Sequence, residues 1–219
     1  MHLAHSGAMV TIDGLDRSQL NRPHAKNYRM TLLVADTSFT PKRERILDAA
    51  EELFALHGFD AVTLRGIAKK AGVDVALASY HFGKKNELFE AAFFRRAQTI
   101  NDLRSRSLEK ILEEKGQDLT AEDIIAAFLK PMQKLQLDHD HGWQNYCALV
   151  AYINSSSVWG KELMHNNFDS LISQYISALQ QVFPQTSLEK LHWCYHYLSG
   201  ALTLTMANTG RIDRLSEGK

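Results

Sequence analysis

Ten histidines and two cysteines are scattered through the 219 residues, and they raise the question of metal chemistry first. His192 and His196 are four apart, hence on one face of a helix, with Cys194 between them; His139, Asp140 and His141 form a second cluster, and His165 stands elsewhere. A zinc or nickel site needs three or four convergent ligands, and helical metalloenzymes usually add a Glu on the same helix. His192-Trp193-Cys194-Tyr195-His196 lacks that Glu, and Cys194 would point roughly 160 to 200 degrees away from each His. These histidines read as structural or surface residues, so no metal and no cofactor are expected. No nucleophile motif supports a Ser-His-Asp or Cys-His arrangement, and no glycine-rich phosphate loop is present. No catalytic residue is assigned, and the chain does not read as an enzyme. A different chemistry, contact with phosphates and base edges, suits helix N-termini and the Lys and Arg groups that flank the short segment Val75 to Phe82.

Positioning those groups requires helices, and the sequence supplies them. From Lys42 to His57, Ile46, Ala49, Ala50, Leu53, Phe54 and Leu56 recur at helical spacing, with Glu44, Asp48, Glu51 and Glu52 expected on the opposite, solvated face. Gly58 stops this helix. Thr63 caps a second, Leu64 to Ala71, ended by Gly72; Asp74 caps a third, Val75 to Phe82, closed by Gly83. Two short helices joined by a glycine-containing turn and braced by a longer one predict a helix-turn-helix, whose second short helix fits the major groove. Tyr80 reads equally as core or interface, whereas Phe82 reads as core. Residues 40–90 carry eight basic and eight acidic side chains, so the segment is not basic overall, although most bases flank the second short helix.

Arg45-Ile46-Leu47-Asp48-Ala49-Ala50-Glu51-Glu52-Leu53-Phe54, Thr63-Leu64-Arg65-Gly66-Ile67-Ala68-Lys69-Lys70-Ala71-Gly72-Val73 and Tyr80-His81-Phe82-Gly83-Lys84-Lys85-Asn86-Glu87-Leu88, in that order, resemble the tetracycline-repressor (TetR) family. The resemblance covers roughly residues 42–90. It implies an all-α fold, a homodimer, an N-terminal DNA-reading head and a C-terminal domain that senses a small molecule. Carried over by position, it implies that Thr63 and Arg65 contact DNA at the start of the second helix. Val75, Ala76 and Leu77 would form the front of the recognition helix, with Ser79 beside them. Tyr80 and His81 would hold phosphates, and Lys85 would clamp another. Ala78 and Ser79 depart from the family pattern, where a larger aliphatic residue and a Tyr are common. Apolar Val75 and Leu77 suit thymine methyl groups better than bidentate hydrogen bonds.

Beyond Asn86 a long helix is expected to about Lys115, broken by Gly116. Thr120 with Asp123 starts another, to about Asp138, with a kink expected at Pro131. Three further helices are expected over Trp143–Ser157, Lys161–Phe183 and Ser187–Asn208. Phe128, Met132, Trp143, Tyr146, Trp159, Phe168 and Tyr175 crowd this region and are the candidate lining for a small apolar effector, although each also reads as simple core. Trp193, Tyr197, Gly200, Ala201 and Leu204 share one face of the last helix, where small residues allow close approach of a symmetry mate.

The expected domains are a flexible arm over 1–40, a helix-turn-helix domain over 41–88 and a helical effector-binding and dimerisation domain over 89–219. Met30 offers a second start, so residues 1–29 read either as native arm or as an over-long beginning; the chain ends eleven residues after Asn208, where the resemblance calls for more helix. The 25 Lys and Arg balance 25 Asp and Glu, and no apolar run approaches a transmembrane span. Two cysteines exclude a disulfide scaffold. The resulting expectation is a cytoplasmic, ligand-responsive DNA-binding regulator, most simply a repressor acting on a double-stranded operator without a membrane partner. A small helical metal-dependent enzyme and an adaptor whose helix-turn-helix has lost DNA affinity are the alternatives.

Overall fold

A computed structural model of the chain describes residues 41–137, 141–156, 158–207 and 209–218. The expected arm over 1–40 lies outside them, as do His139 and Asp140. Among the described residues the regular structure is helical throughout: α1 Pro41–Ala61, α2 Leu64–Ala71, α3 Val75–Phe82, α4 Lys85–Lys115, α5 Ala121–Leu137, α6 His141–Ser155, α7 Gly160–Val182, α8 Leu188–Met206 and α9 Arg211–Leu215, with one 3₁₀ turn at Gly116–Asp118.

The caps fall where the sequence placed them. Thr63 Oγ1 accepts from the Gly66 amide at 3.0 Å, and Asp74 Oδ1 from the Ala76 amide at 2.7 Å. Each satisfies an amide that the helix itself leaves without a partner. Between them Gly72 takes the left-handed conformation (φ 64°, ψ 42°) and returns its amide to Ala68 and Lys69. A side chain there would strain the tight turn that sets α3 against α2. Thr120 and Asp123 form the expected reciprocal pair at the start of α5, the Asp123 amide donating to Thr120 Oγ1 at 3.2 Å. Helix α5 runs on through Pro131 as one element.

Two expectations for α1 fail. Leu56 is 71% exposed instead of joining Ile46, Ala50 and Phe54 in the core. Two residues beyond Phe54, it stands about 200 degrees around the helix from the buried face. Glu51, expected in solvent, is only 2% exposed. Its carboxylate accepts from Arg95 Nη2 at 2.8 Å and from Arg96 Nε at 2.8 and 2.9 Å. Arg95 also reaches Asp48 at 2.8 Å and Glu44 at 3.1 Å, so α4 clamps three of the four acids expected on that face of α1. Arg96 in turn lies 4.9 Å from the Trp143 ring centre, which extends the contact to α6.

An aromatic cluster joins the same elements one turn further along. Phe59 packs on Phe89 of α4 (ring centres 5.3 Å apart) and on Trp159, at the start of α7, at 4.8 Å. Gly58, at φ 73°, breaks α1 so that Phe59 can turn inward, and a Cβ on it would sit 3.4 Å from the Tyr152 ring. Helix α1 is therefore held on both sides, by α4 through Arg95, Arg96 and Phe89 and directly by α6, against which it packs along its length. Helix α4 begins at Lys85, so the boundary expected at 88/89 lies one turn inside it.

Candidate nucleic-acid interface

Helix α3 is eight residues long, with Ala78 and Phe82 on its inner face and a mixed outer face. Ala78 is fully buried and Phe82 nearly so, under the Arg43 guanidinium at 5.1 Å from the ring centre. The small Ala78 lets α3 sit close on α1 and α2, which is the packing consequence of that departure from the family pattern. Val75, Ala76, Ser79 and Tyr80 point outward, with Tyr80 82% exposed, so Tyr80 is surface and not core. Leu77 and His81 are half-buried on the flanks of that face.

Exposed cations stand on the elements adjoining α3. Arg65 and Lys69 of α2 are exposed, as are Lys84 ahead of α4 and Arg45 of α1, and none of the four makes an ion pair among the described residues. Arg45 lies beside the α2–α3 turn, its Nη1 3.8 Å from where a Cβ on Gly72 would stand. Sequence reasoning did not assign Arg45 or Lys84 to the interface, because a helix-one side chain reaches the turn only through tertiary packing. Lys70, by contrast, is paired with Glu52 at 2.7 Å.

The acids of this region are mostly engaged elsewhere. Glu44, Asp48 and Glu51 face Arg95 and Arg96, Asp74 caps α3, and Glu87 accepts the Lys84 amide at the start of α4. The balance of eight bases and eight acids over 40–90 omitted Arg95 and Arg96, which lie just beyond that window. The outward potential beside α3 is thus more positive than the count implied.

Thr63 and Lys85 have structural work in addition to any contact with DNA. The Thr63 hydroxyl is the cap of α2. The Lys85 ammonium donates to the Phe59 carbonyl at 3.0 Å and lies 4.1 Å over the Phe59 ring, so it is held inward.

The seven aromatic and Met residues of the candidate effector lining divide. Phe128, Met132, Tyr146 and Phe168 surround one interior cavity, together with Arg104, Tyr195 and Met206. Trp143 stacks beneath Arg96, Trp159 belongs to the Phe59–Phe89 cluster, and the Tyr175 hydroxyl donates to the Arg104 carbonyl at 2.8 Å. The cavity encloses only about 30 Å³, room for a water molecule. Among the described residues no three His, Cys, Asp or Glu side chains converge as metal ligands. His192 and His196 are exposed on α8, and the His192 Nδ1 meets the Leu188 carbonyl at 2.7 Å.

The sequence comparisons decide the family. Residues 46–92 match bacterial regulatory proteins of the tetR family, and residues 126–219 match the tetracyclin repressor-like C-terminal domain. The chain belongs to the TetR family. It is 34% identical over 119 residues to the HTH-type transcriptional regulatory protein RaaS of Mycobacterium tuberculosis, which covers 54% of this chain and 46% of that one. It is 43% identical over 58 residues to the HTH-type transcriptional regulator SrpR of Pseudomonas putida, covering 26% of this chain and 27% of that one. The matches span less than half the length of these curated relatives. Among solved structures, a transcriptional regulator from Streptomyces coelicolor A3(2) aligns with a TM-score of 0.49 at 23% identity, over 77% of this chain and 88% of that one. TetR proteins are regulators and not an enzyme family. The first match takes in most of α1, α2, α3 and the first two turns of α4, and the second begins inside α5. No helix among the described residues is long and apolar enough to cross a membrane.

Proposed function

We propose that this TetR-family chain is a homodimeric, sequence-specific DNA-binding transcriptional repressor that leaves a palindromic operator when a small, largely apolar effector binds. The observation that carries the reading is the outward face of α3. Val75, Ala76, Ser79 and Tyr80 stand clear of the core, and Arg45, Arg65, Lys69 and Lys84 are exposed on the adjoining elements without acidic partners among the described residues. Val75 and Ala76 meet thymine methyl groups in the major groove, Ser79 and Tyr80 bond to base edges or phosphates, and the four cations hold the backbone.

The dimer is supported by α8, where Trp193 (53% exposed), Tyr197 and Leu204 share a face with exposed Gly200 and Ala201. Apolar area of that kind on a helix favours burial against a second copy, and a two-fold pair of heads reads a palindrome. The effector acts by favouring a conformation in which the two heads no longer fit successive grooves, with α4 as the connecting element. With no membrane-crossing helix in its described part, the regulator works beside DNA in the cytoplasm.

Selection of bound sequences from a random duplex pool tests the reading, followed by a salt titration of the winner. Enrichment of a palindrome with steeply salt-dependent affinity is the expected result. A folded, dimeric protein that enriches nothing at low salt overturns it.

A further inference from the structure

The cavity is bordered by a buried charge that no carboxylate balances among the described residues. Arg104, in the middle of α4, is 4% exposed and borders the cavity with Phe128, Met132, Tyr146, Phe168 and Met206. Its Nε donates to the Phe128 carbonyl at 2.9 Å, and its guanidinium lies 3.8 Å over the Phe128 ring. No carboxylate pairs with it among the described residues; its electrostatic neighbours are Tyr146, Tyr175, Tyr195 and Cys147. Burial pulls its pKa down, yet an arginine stays charged at any physiological pH. A buried cation with one carbonyl bond is costly unless an anion arrives to complete it. The Nε bond leaves the two terminal nitrogens, the fork that matches a carboxylate, without a protein acceptor among the described residues.

We propose that the cavity receives an amphipathic monocarboxylate, its head group held by the terminal nitrogens of Arg104 and its apolar body by the Phe and Met side chains. This rests on the effector reading above and specifies its ligand class. The single positive charge selects a monoanion: the lining holds no other charged side chain, so a doubly charged phosphate would bring an uncompensated charge into the core. The small volume of about 30 Å³ means that the ligand enters by displacing side chains. Met132, Met164 and Met206, unbranched and adaptable, line the space that must open. Tyr195, Leu202 and Met206 place α8 on one wall, while Arg104 belongs to the helix that starts at the head, roughly 28 Å of helix from Lys85. A ligand that widens this space therefore acts on α4 and on the helix proposed to join the two subunits.

The test is calorimetric binding to the full chain without DNA, using octanoate, dodecanoate and naphthoate against their matching alcohols. Each acid that fits is expected to bind at least about tenfold more tightly than its alcohol, the scale of a charge-assisted pair out of water. Arg104→Met is expected to abolish that preference while leaving alcohol binding within about threefold, and Arg104→Lys to keep part of it. Equal affinity of acid and alcohol for the wild-type protein overturns the proposal, as does a preference that survives Arg104→Met, or no binding of any acid. If Arg104→Met does not fold, the wild-type acid-to-alcohol ratio and Arg104→Lys decide alone. A protein that selects an operator but ignores every acid loses this proposal and keeps the regulatory function.

Discussion

Replacing Glu51 by Gln tests whether the head is fastened to α4 by charge. Glu51 is 2% exposed and accepts three hydrogen bonds from two guanidinium groups, all between 2.8 and 2.9 Å. Gln keeps the shape but removes the charge, and turns an NH₂ group toward donors. Breaking a buried ion pair from one side costs about 3–5 kcal/mol. The cost here falls at or below the bottom of that range, because Arg95 retains Asp48 and Glu44 and Arg96 retains its stacking on Trp143. We therefore expect a loss of about 2–3 kcal/mol. With a urea slope of about 2–3 kcal/mol/M for a chain of this size, the midpoint falls by about 1 M. Urea unfolding followed by circular dichroism at fixed protomer concentration measures it, because dimerisation couples stability to concentration. Glu44→Gln, on the more exposed side of Arg95, is the control and is expected to cost about 0.5 kcal/mol or less. If the two variants shift the midpoint equally, or Glu51→Gln shifts it by less than about 0.2 M, the ion pairs do not hold α1 on α4.

Arg65→Ala is expected to lower operator affinity across sequences and reduce the salt slope by about one unit, with unchanged thermal stability. Lys85→Ala is expected to do the reverse in emphasis, lowering stability by about 1 kcal/mol through loss of the Phe59 contacts; filter binding and thermal melts on the two variants separate the roles. Tyr197→Glu places a charge in the exposed α8 face and is expected to shift the protein to monomer in sedimentation without loss of helical signal. Glu90 has its pKa raised, first by burial and then by Glu87 and Glu162. Its folded form thus binds the proton more readily than its unfolded form, and stability falls as pH rises from the ordinary carboxylate value of 4.5 through the raised one. Glu90→Gln is accordingly expected to raise the melting temperature slightly at pH 7 and to lose that advantage near pH 4; equal effects at both values would refute it.

Local chemistry was legible in the sequence, and long-range pairing was not. Caps such as Thr63 and Asp74 and the stop at Gly72 depend on hydrogen bonds within three or four residues, so their positions follow directly from residue type. The same holds for the outward face of α3, because Ala78 and Phe82 are one turn apart and must point the same way. Glu51 was misjudged because its partners, Arg95 and Arg96, are 44 and 45 residues away. Lys85 has an inward ammonium for a similar reason, with its acceptor on Phe59 26 residues earlier. Aromatic content located the C-terminal cavity only in part. Trp143, Trp159 and Tyr175 are large, but they fill contacts among helices elsewhere, and Arg104 carried no signal in the sequence because its burial depends on α5, α7 and α8 closing around it.

The three tryptophans of the chain are distributed so that each would report a different event by its fluorescence. Trp159 touches Phe59 and Phe89, at the seat of the head. Trp143 lies edge-on to Tyr146, 5.8 Å between ring centres, and so next to the wall of the cavity. Trp193 is half in solvent on α8 and would shift its emission to the blue when a second subunit covers it. Three single-tryptophan variants would thus time head movement, ligand entry and subunit association separately, with no dye attached and no residue added. The order in which the three signals change after mixing would give the sequence of steps from ligand to operator.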